Sequence, residues 1–135
     1  MSSIDSTPLD RRYTILVSDD DPGVRRALQL LLRSRGYAVS GYTSGSALLA
    51  DRCAKDADCV ILDYHMPDID GFAMLRYLRH TGWSGHAVMI SGFHDGVLAQ
   101  RAAEAGFDLV IAKPLIGRVL LQAIERYRHQ TDRKH

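Results

Sequence analysis

The chain has 135 residues, 46% of them hydrophobic and 24% charged, the size and composition of one globular domain able to bury its own core. A net charge of +1 gives no electrostatic basis for nucleic acid or an anionic membrane as partner. The two cysteines, Cys53 and Cys59, match no zinc spacing and are too few for a disulfide framework, so they read as ordinary thiols in a reducing compartment. The polar start, MSSIDSTPLDRR, lacks the apolar core of a signal peptide. No apolar run approaches the roughly 20 residues that span a bilayer, and a cytoplasmic protein is expected.

Residues 1–12 read as a flexible lead, residues 13–129 as the folded domain and residues 130–135 as a polar tail. Strand and helix signals alternate along the domain. Residues 13–18 (YTILVS) form a short β-branched, apolar run. Asp21-Pro22 then supplies an N-cap and a proline at the first helical position. Val24, Ala27, Leu28, Leu31 and Leu32 follow at helical spacing, and Gly36 closes the helix. Residues 37–42 are a weaker second strand. Residues 44–54 predict a second helix with Ala47, Leu48 and Cys53 inward. Residues 58–62 (DCVIL) are the continuous apolar run of a strand covered on both faces.

A loop with Pro67 and Gly71 leads to a third helix through Phe72, Leu75 and Leu78, with Asp68 and Asp70 read as its caps. A strand at residues 87–90, a helix at 95–105 ending at Gly106, a strand at 109–112 and a last helix at 115–129 complete the pattern. Val119, Leu120, Ala123, Ile124 and Tyr127 form the expected inner face of that last helix. Five strands alternating with five helices predict an α/β, doubly wound parallel sheet with helices on both faces. Right-handed crossovers place all strand C-termini on one edge, where such folds bind ligands.

Chemistry-bearing residues recur at those strand ends. Asp19 and Asp20 follow the first strand and Asp63 ends the third. If those strands are neighbours the carboxylates crowd together, and a hard divalent ion with oxygen ligands relieves the repulsion. A solvated acidic turn is the plain alternative. Asp63 can serve as metal ligand, nucleophile or both. His65, two residues on, reads first as an exposed loop side chain and second as a ligand or base. Ser91 ends the fourth strand, where its hydroxyl can donate to a phosphoryl oxygen, and Gly92 admits close backbone approach. Lys113 ends the fifth as a positive point charge for a phosphate or carboxylate. Pro114 after it allows a cis peptide.

These segments, ILVSDDDPGVRRAL, VILDYHMPDIDGF, VMISGF and AGFDLVIAKPL, resemble the receiver domain of a two-component response regulator, over residues 13–128. The resemblance implies a flavodoxin-like fold with strand order 2-1-3-4-5. It implies Asp63 as phosphoacceptor, Asp20 as direct ligand of Mg²⁺ (or Mn²⁺), and Asp19 as assistant ligand partly through water. The backbone carbonyl of His65 completes the ligands, Ser91 is the switch hydroxyl and Lys113 the phosphate-pairing lysine. The implied donor is a histidine kinase or a histidine phosphotransfer protein. The implied protein is a signalling switch, not a conventional enzyme, that acts through protein contacts, with homodimerisation open to it through Arg118 or Arg126.

Three positions depart from the family pattern. Val110 stands where many relatives carry an aromatic ring that couples the site to the output face. Ser91 replaces the commoner threonine, and Ser18 is more polar than usual. His65 and Phe93 would flank the path of an attacking water and set the dephosphorylation rate. Two other readings remain. An aspartyl-phosphate hydrolase needs a second acid two residues after the nucleophile, where this chain has His65. A phosphorylation-independent interaction module would not need Asp19, Asp20, Asp63, Ser91 and Lys113 together. A P-loop nucleotidase is excluded because the chain has no GxxxxGK[ST].

Overall fold

A computed structural model describes residues 12–92, 96–114 and 117–133. Strands β1 (Thr14–Ser18), β2 (Ala38–Tyr42), β3 (Cys59–Asp63), β4 (His86–Ser91) and β5 (Leu109–Ala112) alternate with helices α1 (Pro22–Arg33), α2 (Gly45–Ala50), α3 (Gly71–His80), α4 (Gly96–Ala105) and α5 (Gly117–Arg133). The five strands form one sheet in the order β2-β1-β3-β4-β5, with every neighbouring pair parallel. The expected fold class and strand order are what the chain adopts.

Strand alternation divides the core in two. Ile15, Val17, Ile61, Val88, Ile90 and Ile111 face Leu28 and Leu32 of α1 and Leu120 and Ile124 of α5. Leu16, Val60, Leu62 and Met89 face Leu48 of α2, Met74, Leu75 and Leu78 of α3, and Leu98 and Ala102 of α4. All five residues of β3 are buried, because this central strand has a helix layer on each side. Asp21 caps α1 through Gly23 and Val24 N–H groups, with Pro22 at the first position. Gly36 ends that turn at a φ of 90°, a left-handed conformation in which a Cβ would be strained.

Several local expectations are corrected. The predicted second helix stops at Ala50, and Arg52–Asp56 is a separate 3₁₀ segment. Asp51 causes the break, because its side chain caps the new segment through Cys53 N–H and accepts the Tyr42 hydroxyl. Leu48 is buried, but Ala47 and Cys53 are exposed. Asp70 caps α3 as expected, through Ala73 N–H. Asp68 does not; it accepts from Gly45 N–H at 3.2 Å, Ser46 N–H at 2.8 Å and the Ser46 hydroxyl, so it caps α2 from across the loop.

Ala27 is exposed, since its methyl is too short to fill the groove it lines with Leu31, Gly117 and Leu120. Val119 is 42% exposed, because a helix turns about 100° between neighbours and Leu120 takes the inward direction. Helix α5 runs beyond residue 129 to Arg133. Gln130 hydrogen-bonds His86 at 3.0 Å and the Thr131 hydroxyl donates to Tyr127 O, so these polar residues still have helical anchors.

Two stability predictions follow from this packing. A Cβ at Gly85 would stand 2.6 Å from the Asp58 carbonyl oxygen and 2.4 Å from the Trp83 ring, whereas one at Gly96 meets nothing within 4 Å. Gly85→Ala is expected to cost about 1–3 kcal/mol, as overpacking does, and Gly96→Ala is expected to leave the urea midpoint unchanged or higher. The Ser46 and Gly45 donors hold the Asp68 carboxyl down to about 2. A depressed folded value contributes stability above the ordinary carboxylate range and loses it as pH falls through the folded value. The stability gap between the native protein and Asp68→Asn should therefore narrow between about pH 4 and pH 2. Urea unfolding across that range checks it.

Candidate functional site

In-register pairing delivers the site residues to one edge. Ser18 pairs with Leu62, Asp63 with Ile90, and Ser91 with Ala112, so Asp19, Asp63, Ser91 and Lys113 all emerge together at the C-terminal ends. Asp19 is fully buried, Asp63 is 3% exposed and Ser91 is 1% exposed, while Asp20 is exposed. Carboxylate oxygens of Asp19, Asp20 and Asp63 lie within 4.8 Å of one another. The crowding expected of these aspartates is thus real.

Lys113 lies among them. Its Nζ donates to Asp63 Oδ2 at 3.1 Å and stands 3.3 Å from Asp19 Oδ2. Its backbone N–H donates to Ser91 O at 2.9 Å, which ties the ends of β4 and β5 together. The peptide between Lys113 and Pro114 is cis, as proline allows. Burial works against the Lys113 charge, but the hydrogen bond to Asp63 and the charges of Asp19 and Asp63 outweigh it and raise its pKa. Burial raises the pKa of Asp19, and the nearby Asp63 charge adds to this, against the Asp21 N–H and Lys113.

The rest of the loop is held by backbone. Asp63 Oδ1 accepts from His65 N–H at 3.2 Å, Tyr64 N–H donates to Ile90 O at 2.8 Å, and Gly71 N–H donates to Tyr64 O at 3.2 Å. The His65 side chain is exposed. A Cβ at Gly92 would meet nothing within 4 Å, so no described protein atom requires a glycine there. Phe93 lies outside the described residues. Val110 is half-buried against the core cluster of Leu62, Met89 and Phe107.

Three features of the site follow from the fold and from no sequence pattern. Arg25, to which the sequence pattern assigns no role, donates from Nη1 to the Asp19 carbonyl at 2.8 Å. Asp68, expected to cap α3, instead accepts from the start of α2. An edge-to-face aromatic column runs from Tyr64 to Phe72 at 5.6 Å and on to Phe107 at 5.9 Å, with the Arg101 guanidinium 4.8 Å over Phe72. Their separations in sequence follow no single period, so no pattern announces them.

A sequence model described as the response regulator receiver domain matches residues 15–125. The chain belongs to the response regulator receiver family. It is 36% identical over 115 residues to the response regulator protein TodT of Pseudomonas putida, covering 85% of this chain and 51% of that protein. It is 33% identical over 114 residues to the transcriptional regulatory protein FixJ of Rhizobium meliloti, covering 84% and 56%. This receiver therefore spans about half the length of the curated relatives it matches. Its fold is similar to the BeF3-activated DrrB receiver domain, with a TM-score of 0.81 at 24% identity, covering 88% of this chain and 99% of that one. It is likewise similar to a CheY-like receiver of Methanospirillum hungatei, with a TM-score of 0.79 at 20% identity, covering 93% and 100%.

Receiver domains bind a divalent cation at an acidic pocket, and the donors in this one suit it. They are all oxygens, as a hard cation prefers. One of them, Asp19 Oδ2, is a buried atom that makes no hydrogen bond. Because Asp19 is held above its ordinary pKa by burial, its charge costs stability at neutral pH and costs nothing once acid has protonated it in both states. Asp19→Asn is therefore expected to raise the melting temperature in metal-free buffer at pH 7. That gain should vanish towards about pH 3. Calorimetry at the two pH values reads both.

Proposed function

We propose that this receiver is a phosphorylatable switch in which Asp63 takes a phosphoryl group from a phosphohistidine of a histidine kinase or histidine phosphotransfer protein. The observation that carries the reading is the ammonium of Lys113 placed 3.1 Å from Asp63 Oδ2 and 3.3 Å from Asp19 Oδ2. A carboxylate oxygen of Asp63 attacks phosphorus, the donor's N–P bond breaks, and the imidazole leaves with the bonding pair and takes a proton. Such transfers need alignment and charge neutralisation more than covalent help.

Lys113 follows the negative charge, from the free carboxylate to the oxygens of the transferring group. The Ser91 hydroxyl donates to a phosphoryl oxygen and draws the end of β4 towards it, a local charge event that biases the output surface. Asp20, Asp19, Asp63 and the His65 carbonyl would hold Mg²⁺ or Mn²⁺. When bound, the ion supplies further positive charge to the transferring oxygens and activates water for the later hydrolysis of the acyl phosphate.

Val110 offers no ring to swing, so an aromatic on β5 does not report the state of this site. Output is through protein contacts. Cytoplasmic placement belongs to this proposal; among the described residues no helix is long and apolar enough to cross a membrane.

Incubation with a small acyl phosphate and Mg²⁺, followed by intact mass, is expected to show one added phosphoryl group that Asp63→Asn abolishes. Lys113→Ala should slow its appearance by about 10²-fold or more. Absence of any adduct, with beryllofluoride and Mg²⁺ also failing to bind, would instead favour a phosphorylation-independent module. Turnover of the acyl phosphate without a trapped adduct would favour a hydrolase. His65→Ala and Phe93→Ala are each expected to change the phosphate half-life, and an unchanged half-life in both would remove them from the dephosphorylation path.

A further inference from the structure

We infer that Arg25 is a positioning residue for the acidic site, holding the Asp19–Asp20 peptide so that Asp20 presents its carboxylate to a divalent cation. The inference rests on the reading of Asp20 as a metal ligand. Asp19 is hydrogen-bonded at three of its four polar atoms, and the fourth faces the Lys113 ammonium. Its N–H donates to Tyr42 O at 3.1 Å, its Oδ1 accepts from Asp21 N–H at 2.9 Å, and its Oδ2 faces Lys113. Its carbonyl oxygen accepts from Arg25 Nη1 at 2.8 Å. That carbonyl belongs to the planar peptide unit that begins Asp20. Fixing its oxygen fixes the direction of the Asp20 N–H and the place of the Asp20 Cα.

Asp20 needs such a restraint because it is exposed and no core packing orients it. Arg25 is itself well fixed. It lies in the first turn of α1, half-buried, and its own N–H donates to Asp21 O at 3.0 Å. Asp21 in turn caps the helix through Gly23 and Val24. Residues 19–25 thus close a hydrogen-bonded circuit in which the guanidinium is the link from the helix back to the strand end. Groups that orient a ligand, without touching the metal, commonly govern metal affinity.

The charge of Arg25 makes the inference decidable. A guanidinium beside the site repels an incoming cation, so by Coulomb's law alone its removal tightens metal binding. Loss of the restraint on Asp20 weakens it. The two effects have opposite signs.

The test is a titration of the metal-free protein with Mg²⁺ alone, followed by calorimetry and by the backbone amide shifts of residues 19–21, without any phosphodonor. Arg25→Met is expected to weaken Mg²⁺ binding about tenfold with no large loss of melting temperature. Arg25→Lys, which keeps the charge and a single donor, should fall between the two. Arg26→Met, which removes an exposed neighbouring charge that makes no contact with Asp19, should bind as tightly as the native protein or slightly tighter. Binding by Arg25→Met that equals or exceeds the native protein overturns the inference. If that variant does not fold, Arg25→Lys decides: weaker binding supports the inference and unchanged binding overturns it. Asp20→Asn separates the two levels of the argument. If it abolishes binding while the Arg25 variants do not weaken it, the metal reading stands and the inference falls. If the native protein binds no Mg²⁺, both fall.

Discussion

One cation held between two buried carboxylates organises this molecule's functional edge. Lys113, at the end of the outer strand β5, reaches Asp63 at the end of the central β3 and Asp19 just beyond β1. Two carboxylates buried a few Å apart repel strongly in a low dielectric. The ammonium opposes that repulsion, while burial, more than the Asp63 charge, keeps the pKa of Asp19 raised. Three carboxylates, those of Asp19, Asp20 and Asp63, gather around one ammonium, and Asp19 Oδ2 is a buried oxygen without a hydrogen bond. An oxygen-rich edge with excess negative charge suits a hard divalent cation.

The surrounding structure serves that constraint. The sheet contributes register, because parallel pairing aligns Asp63 with Ile90 and Ser91 with Ala112. Backbone groups hold the loop after Asp63, through Tyr64, His65 and Gly71. Arg25 and Asp21 hold the loop after β1. The apolar layers on either face bury these strand ends and keep water from screening them. Away from the edge, Asp51 and Asp68 set where α2 begins and ends.

The face behind the site differs from the family pattern in its chemistry. Val110 is a small side chain packed into the cluster with Leu62 and Phe107, and rings stand elsewhere. Tyr64, Phe72 and Phe107 form a column from the residue after Asp63 to the turn before β5, with Arg101 of α4 on its face. Aromatic mass is thus present between the loop after Asp63 and α4, but it is carried by α3 and two loops instead of by β5.

Much of this was determined by sequence alone. The alternating β-branched and amphipathic segments, the Asp21-Pro22 start of α1 and the continuous apolar run of β3 each carry a local physical signal. Asp63, Ser91 and Lys113 could be assigned to strand ends because those signals end where the residues stand. Asp19 and Asp20 could be grouped with Asp63 because a parallel fold leaves them no other edge. What tertiary structure decided was every interaction between residues whose spacing carries no period. Asp68 caps a helix 22 residues away, although by sequence its nearest helix is α3. Ala47, Cys53 and Val119 sit on apolar stripes yet face solvent, because the neighbouring layer does not extend over them. Arg25 and Arg26 are indistinguishable as letters, and only one reaches the Asp19 carbonyl. A pattern records which face a residue takes, but a hydrogen bond depends on where a second backbone lies, and only the folded chain supplies that.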